Sequence, residues 1–215
     1  VSGGKTRVHE VRLQRARTRI ATPGAGRFRY AFANLKDFGY GLFPLDPVSR
    51  KYLLNHPAVL RDDLLRALVY ESLWESVRAA EFDPAQYIAL LLDRLPGERN
   101  EINAAGMLAR LRSAHLRYQD RTHRDVSAAR IEEFLYAQMK GTQNESRRIE
   151  YFRAFADLAR SETALAKLKD LISGRLEIPG LELRSRDRFR MLQTLIAQDD
   201  ADASRLQNEL AAADT

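Results

Sequence analysis

The chain has 215 residues, 45% of them hydrophobic and 30% charged, and 35 basic side chains against 29 acidic ones give a net charge of +6. That length can bury a real core in one large or two small domains, and the lack of cysteine excludes disulfides and thiolate metal sites. The basic residues are interleaved with acids and form no single run, which reads as a solvated helical surface, so neither nucleic acid nor membrane is an expected partner. No apolar run approaches the roughly 18 residues that cross a bilayer, the N-terminus is not a signal peptide, and the cytoplasm is the expected compartment.

Residues 1–45 form one compositional zone. Val8, Val11 and Leu13, then Phe28, Tyr30 and Phe32, show short period-two alternation that predicts two strands. Thr22-Pro23-Gly24-Ala25-Gly26 is the loop between them, and Arg12, Arg15, Arg17, Arg19, Arg27 and Arg29 would look outward. Gly39-Tyr40-Gly41-Leu42-Phe43, aromatic and interrupted by glycine, suits a terminating strand. This β segment is expected to be the tail of a preceding β domain or a linker.

From residue 46 to 215 the period becomes helical. Asp46-Pro47 is a helix start, with an acceptor side chain at the N-cap and a proline at the first helical position, where its missing N–H costs nothing. Leu65, Val69, Leu73 and Val77 form an i, i+4 row, and Leu60, Leu64 and Leu68 an adjacent one, so 64–77 should be a buried amphipathic helix. Asp83-Pro84 repeats the start signal, and that helix should stop before Pro96. Helices are expected near 99–118, 124–140, 145–160, 162–173, 186–198 and 202–212. Ser161 suits an N-cap, and Gly141 and Gly174 sit where C-terminal caps belong. The fold class is mainly α. Helices of about 12–20 residues with short connections favour antiparallel neighbours, as a bundle or as stacked pairs. No repeat of fixed period is present.

The junction between the two zones carries a resemblance. Asn34, Asp37, Gly39-Tyr40-Gly41, Leu45-Asp46 and Ser49 resemble the segment that opens the C-terminal helical domain of the aminopeptidase N family of zinc metallopeptidases. The likeness continues through residues 64–101, returns in 151–174, in Ile178-Pro179-Gly180-Leu181 and in Arg186-Asp187-Arg188, and departs at Phe189, where bacterial members often carry tryptophan. Another departure is at residues 213–215, where members usually continue into further helices. The resemblance implies stacked antiparallel helical pairs, an α-solenoid or HEAT-like superhelix around a concave surface. It implies a non-catalytic domain, truncated relative to the family, that caps the active site of an enzyme removing N-terminal residues from peptides. Its partners would be a peptide substrate and the catalytic domain of the parent enzyme, and zinc would lie in that catalytic domain.

Within this chain no catalytic or metal-binding residue is expected. His9-Glu10-Val11-Arg12-Leu13 has the first half of the zincin pattern H-E-x-x-H, but leucine replaces the second histidine that must sit one turn away on the same helix face to ligate zinc. His56, His115 and His123 have no partner at ligand spacing and read as surface or helix-end residues. Gly3-Gly4-Lys5-Thr6 lacks the earlier glycine and strand of a phosphate-binding loop. Asp62-Asp63, Glu132-Glu133 and Asp199-Asp200 read as helix-start or exposed carboxylates, because adjacent helical residues do not face each other. Trp74 with Tyr70, and Tyr151-Phe152 with Phe155, are aromatic stripes expected in the core. Arg117 and Tyr118 end one helix, and the resemblance implies a peptide-binding role for basic and tyrosyl side chains there. A guanidinium suits a free carboxylate because it can donate two parallel hydrogen bonds. Two readings compete with the peptidase one: a helical-repeat scaffold for a protein partner, and a basic helical nucleic-acid binder.

Overall fold

The computed structural model describes residues 8–12, 15, 17, 18, 20 and 28–213. Its described residues hold nine α-helices: α1 (Pro47–Asn55), α2 (Asp63–Arg78), α3 (Pro84–Arg94), α4 (Glu101–Arg117), α5 (Arg121–Gly141), α6 (Glu145–Leu158), α7 (Glu162–Ile172), α8 (Ser185–Ala197) and α9 (Ala203–Ala213). The helix starts are set by local chemistry. Asp46, Asp62, Asp83, Asn100, Asp120, Asn144 and Ser161 each accept a backbone N–H from the first turn of the helix that follows, satisfying donors that have no partner within the helix.

Helix α2 lies against α4, α4 against α6 and α6 against α8, while α3 packs on α4, α5 on α6 and α7 on α8. One hydrophobic core runs through the helices and includes Leu73, Tyr87, Leu91, Met107, Leu111, Ile131, Leu135, Phe152, Phe155, Leu168, Met191 and Leu195. Tyr70, Tyr151, Phe152 and Phe155 are buried and Trp74 is half-buried, as the aromatic stripes require. In α2 the buried row is Val69, Leu73 and Val77. Of the adjacent row, Leu64 is exposed and Leu60 is buried just before the helix begins.

The expected β segment is not found. The described residues before α1 contain no strand. Leu13 and residues 22–26 lie outside the described residues, as does Gly3-Gly4-Lys5-Thr6. Residues 28–45 follow an irregular path pinned to the helices by side chains. The Ala31 N–H donates to Ser49 Oγ at 2.8 Å, the Leu45 N–H donates to the buried Ser72 Oγ at 2.9 Å, and the Tyr30 ring stacks on Tyr52. Alternation in Phe28–Phe32 thus records contact with α1 and not pairing in a sheet. Gly39–Phe43 is likewise no strand. Asn34 adopts a left-handed backbone at φ 61°, and its side-chain amide both accepts from the Gly39 N–H and donates to the Gly39 carbonyl. One asparagine supplies the pair of bonds that a neighbouring strand would have made, which leaves Phe38, Tyr40 and Leu42 exposed.

Two glycines expected as caps differ. Gly174 follows the end of α7 at φ 73°, the left-handed conformation that ends helices. Gly141 remains helical, and Thr142 caps α5 instead. Gly180 is also left-handed, at φ 72°, and a β-carbon there would collide with Arg148 Nη1. Arg148 is buried and donates to the carbonyls of Thr142 and Gly180, tying α6 to the loop before α8. Gly180→Ala should therefore cost about 1–3 kcal/mol, from backbone strain plus displacement of the arginine. An unchanged thermal midpoint would show that the arginine moves aside freely.

Candidate functional site

Tyr118 caps α4, and its ring stands edge-on to Trp74 with centroids 5.1 Å apart. Beside it is a groove of about 480 Å³ lined by Leu42, Pro44, Glu75, Ser76, Arg78, Ala79, Glu81 and Tyr118. The groove forms because the segment held by Leu45 on Ser72 crosses the C-terminal end of α2. Arg78 pairs with Glu75 at 2.7 Å, and Glu75 first, then the Tyr118 hydroxyl, favour its charged form. The sequence signal for this site, an arginine and a tyrosine at a helix end, says nothing of Leu42 or Pro44, which the chain brings in from far upstream.

Arg117 is exposed and makes no ion pair with another described residue. It lies seven residues after Arg110, and so on the same side of α4. Arg110 is paired across to Glu71 of α2. Arg117 is thus a free cation at the edge of the α2–α4 seam, close in sequence to the groove but not among its lining residues.

A second polar constellation joins three helices. Asp157, in the last turn of α6, is held from both sides: Arg112 of α4 approaches its Oδ2 at 2.8 Å, and Arg190 of α8 donates to both oxygens at 2.9 Å. One turn earlier on α6, Arg153 bonds Glu150 and reaches the buried Asp187 of α8 at 3.7 Å. These residues come from three helices far apart in the chain. Spacing within any one helix gives no signal for them.

The other candidates resolve as structure. His9 and Glu10 are exposed and lie in no helix. His56 and His123 sit at helix ends; the His123 ring contacts Asp120 at 2.8 Å. His115 departs from expectation, being buried in α4 with its Nδ1 3.0 Å from Gln119 Oε1 and 3.2 Å from Ser127 Oγ. Burial first, and then the charges of Arg124 and Arg160, push its pKa below the ordinary value, so it is neutral at pH 7 and packs as a core residue. Glu132 departs too. It is buried and accepts from the Arg160 and Ser161 N–H groups and from Ser161 Oγ, anchoring the start of α7. Asp62 caps α2, and Asp200 faces Lys169 at 3.2 Å. Among the described residues no group of three or more His, Cys, Asp or Glu could hold a metal ion, and no helix is long and apolar enough to cross a membrane.

No protein-family model matches the chain. The chain is 29% identical over 176 residues to the protein named Aminopeptidase N of Streptomyces lividans. The match takes in 81% of this chain and only 20% of that protein, so the chain spans about a fifth of the length of the curated relative it matches. It is therefore similar to one part of an aminopeptidase.

Proposed function

We propose that this chain is a non-catalytic helical portion of a zinc aminopeptidase of the aminopeptidase N type. The observation that carries the reading is the similarity along 81% of the chain to part of a protein bearing that name. The parent enzyme would remove N-terminal residues from peptides in the cytoplasm, with its zinc in a separate catalytic domain. The described residues offer no cluster that fits the metal, so no step of the chemistry is assigned to this chain. Its role would be to cap the catalytic domain and to line the peptide cavity, with the helices stacked as antiparallel pairs in a solenoid-like array. Nucleic acid and membrane have no part in this reading.

Arg117 and Tyr118 are the proposed peptide-binding residues. Arg117 is accessible and without an acidic partner among the described residues, and Tyr118 borders a groove wide enough for a side chain. Arg117 would take the free carboxylate at the distal end of a peptide. In the native polypeptide that carries this chain, Arg117→Ala should lower the specificity constant for longer peptides about five- to a hundredfold, the effect of about 1–3 kcal/mol from a partly solvated charged hydrogen bond. Dipeptide-like substrates should be little affected. The measurement is kcat/KM over a length series. Equal loss at every length would remove Arg117 from the site, and absence of chelator-sensitive aminopeptidase activity in that polypeptide would overturn the larger reading.

A further inference from the structure

The turn between α4 and α5 is short, with Tyr118, Gln119 and Asp120 alone between the two helices, and a buried imidazole ties it down. His115, in the last turn of α4, is 1% exposed. Its Nδ1 lies 3.0 Å from Gln119 Oε1, and Ser127 Oγ of α5 lies 3.0 Å from the same oxygen. An amide oxygen only accepts, so Nδ1 carries the proton of the neutral ring and a second proton must go to Nε2. No described residue accepts from Nε2. The surroundings are already short of acceptors. Arg124 of α5 donates from Nη1 to the Leu116 carbonyl, and its buried Nε has no partner among the described residues. Glu132 commits both oxygens to Arg160 and Ser161 at the start of α7, and Asp125 pairs with Arg160.

We propose that His115 is an acid-sensitive latch whose protonation opens the α4–α5 turn and draws Tyr118 away from Trp74 and the groove. The dipole at a helix end favours a cation, but a buried one also needs acceptors for its N–H groups. Here burial opposes the charge first. The bond to Gln119 favours it, Arg124 and Arg160 oppose it, and Glu132 favours it least of all, leaving the folded value below the ordinary one. The charges that α2 and α6 bring to α4 serve earlier turns, Glu71 on Arg110 and Asp157 on Arg112. Glu75 and Arg78 of α2 pair with each other, as do Asp93 and Arg94 of α3. The imidazolium therefore gains acceptors only from water, and water reaches it when the last turn of α4 unwinds. Gln119, which holds the ring, and Tyr118, which caps the helix, are the residues that must move. The open form binds the proton more readily, so the closed form is fully favoured above the ordinary histidine value of about 6.5 and loses that advantage as pH falls through the lower folded value. That acid should also weaken peptide handling at the groove rests on the role proposed for Arg117 and Tyr118; the latch itself does not.

Trp74 is the only tryptophan of the 215 residues, so intrinsic fluorescence of the whole chain reports its contact with Tyr118. Emission should shift to the red between about pH 6.5 and pH 5, while far-ultraviolet circular dichroism keeps its helical signal. His115→Gln, which retains a neutral hydrogen-bonding side chain, should abolish the shift. His123→Gln, which removes the other imidazole of this junction, should leave it in place. By NMR of the wild-type chain, the His115 ring and the Tyr118 and Gln119 amides should titrate with one common midpoint below about 6.5, a comparison that decides the matter even if His115→Gln does not fold. The proposal is overturned by flat Trp74 emission over that range, by a shift that survives in His115→Gln, or by one that vanishes in His123→Gln. Helical signal lost in step with the emission would mean global unfolding and overturns it too, as does a His115 ring that titrates without the two amides. No peptide is present in these measurements, so their failure leaves the peptide-binding role of Arg117 and Tyr118 untouched. Equal loss at every peptide length in Arg117→Ala would, in turn, leave the latch standing.

Discussion

Replacing Leu73 by alanine should destabilise the chain by about 2–5 kcal/mol, from lost burial plus the cavity left behind. Leu73 is 2% exposed, in the middle of α2, between the equally buried Val69 and Val77. Its helix meets both α3 and α4, so the void would open between elements that cannot all move to close it. For a chain of this size the thermal midpoint should fall by roughly 5–15 °C. Thermal unfolding followed by circular dichroism measures it. A shift of a degree or less would mean that α2 frays or that its inner face is solvated.

The second large effect is expected at Glu98. Its carboxylate is buried and accepts Arg66 Nε and Nη2, each at 2.8 Å, and the Asn100 N–H at 2.9 Å. Asn100 is the N-cap of α4, and Arg66 also donates to Asp63 and to the carbonyls of Leu60 and Arg61. The cluster ties the first turn of α2 to the turn between α3 and α4. Glu98→Ala would leave a largely buried guanidinium short of its best partner. The cost should be about 2–4 kcal/mol, below that of a fully enclosed pair because Arg66 keeps Asp63 and some contact with water.

The same cluster should give a pH signature. Burial opposes the charge on Glu98, but the bonds from Arg66 and the Asn100 N–H outweigh it and hold the carboxyl below its ordinary value. A depressed folded-state pKa means that the unfolded chain binds the proton more readily. The stabilisation is thus complete above the ordinary glutamate value of about 4.3 and is lost as pH falls through the lower folded value. Wild type should lose more stability than Glu98→Gln between about pH 5 and pH 3. Parallel stability curves for the two proteins over that range would show that Glu98 is not held in its charged form.

Part of the candidate site was legible because it is local. Arg117 and Tyr118 are adjacent, and a helix end was expected there, so their placement at the end of α4 followed from sequence. Tyr118 against Trp74, and the roof that Leu42 and Pro44 place over the groove, join residues more than thirty positions apart. Arg112, Asp157 and Arg190 are separated by similar distances in the chain. No periodicity links them, because side-chain pairing across helices depends on which helices are neighbours and on their rotation.

Helix positions were the feature most fully determined by sequence. Capping acids, prolines at first turns and apolar periodicity act over a few residues, and the same short-range physics builds the helix. Asp46, Asp83 and Ser161 cap the helices that their sequence context announced. Short-range reasoning failed where a distant partner changed the outcome. Period-two alternation near Phe28–Phe32 describes any extended chain with one covered side, and only the position of α1 decided that the cover is a helix. His115 and Glu132 read as surface residues, since a histidine or a glutamate is exposed unless something pairs it. Ser127 of α5 and the start of α7 supply those partners. Tertiary packing alone could decide this, because burying a polar group is favourable only once its hydrogen bonds are made, and the groups that make them lie on other helices.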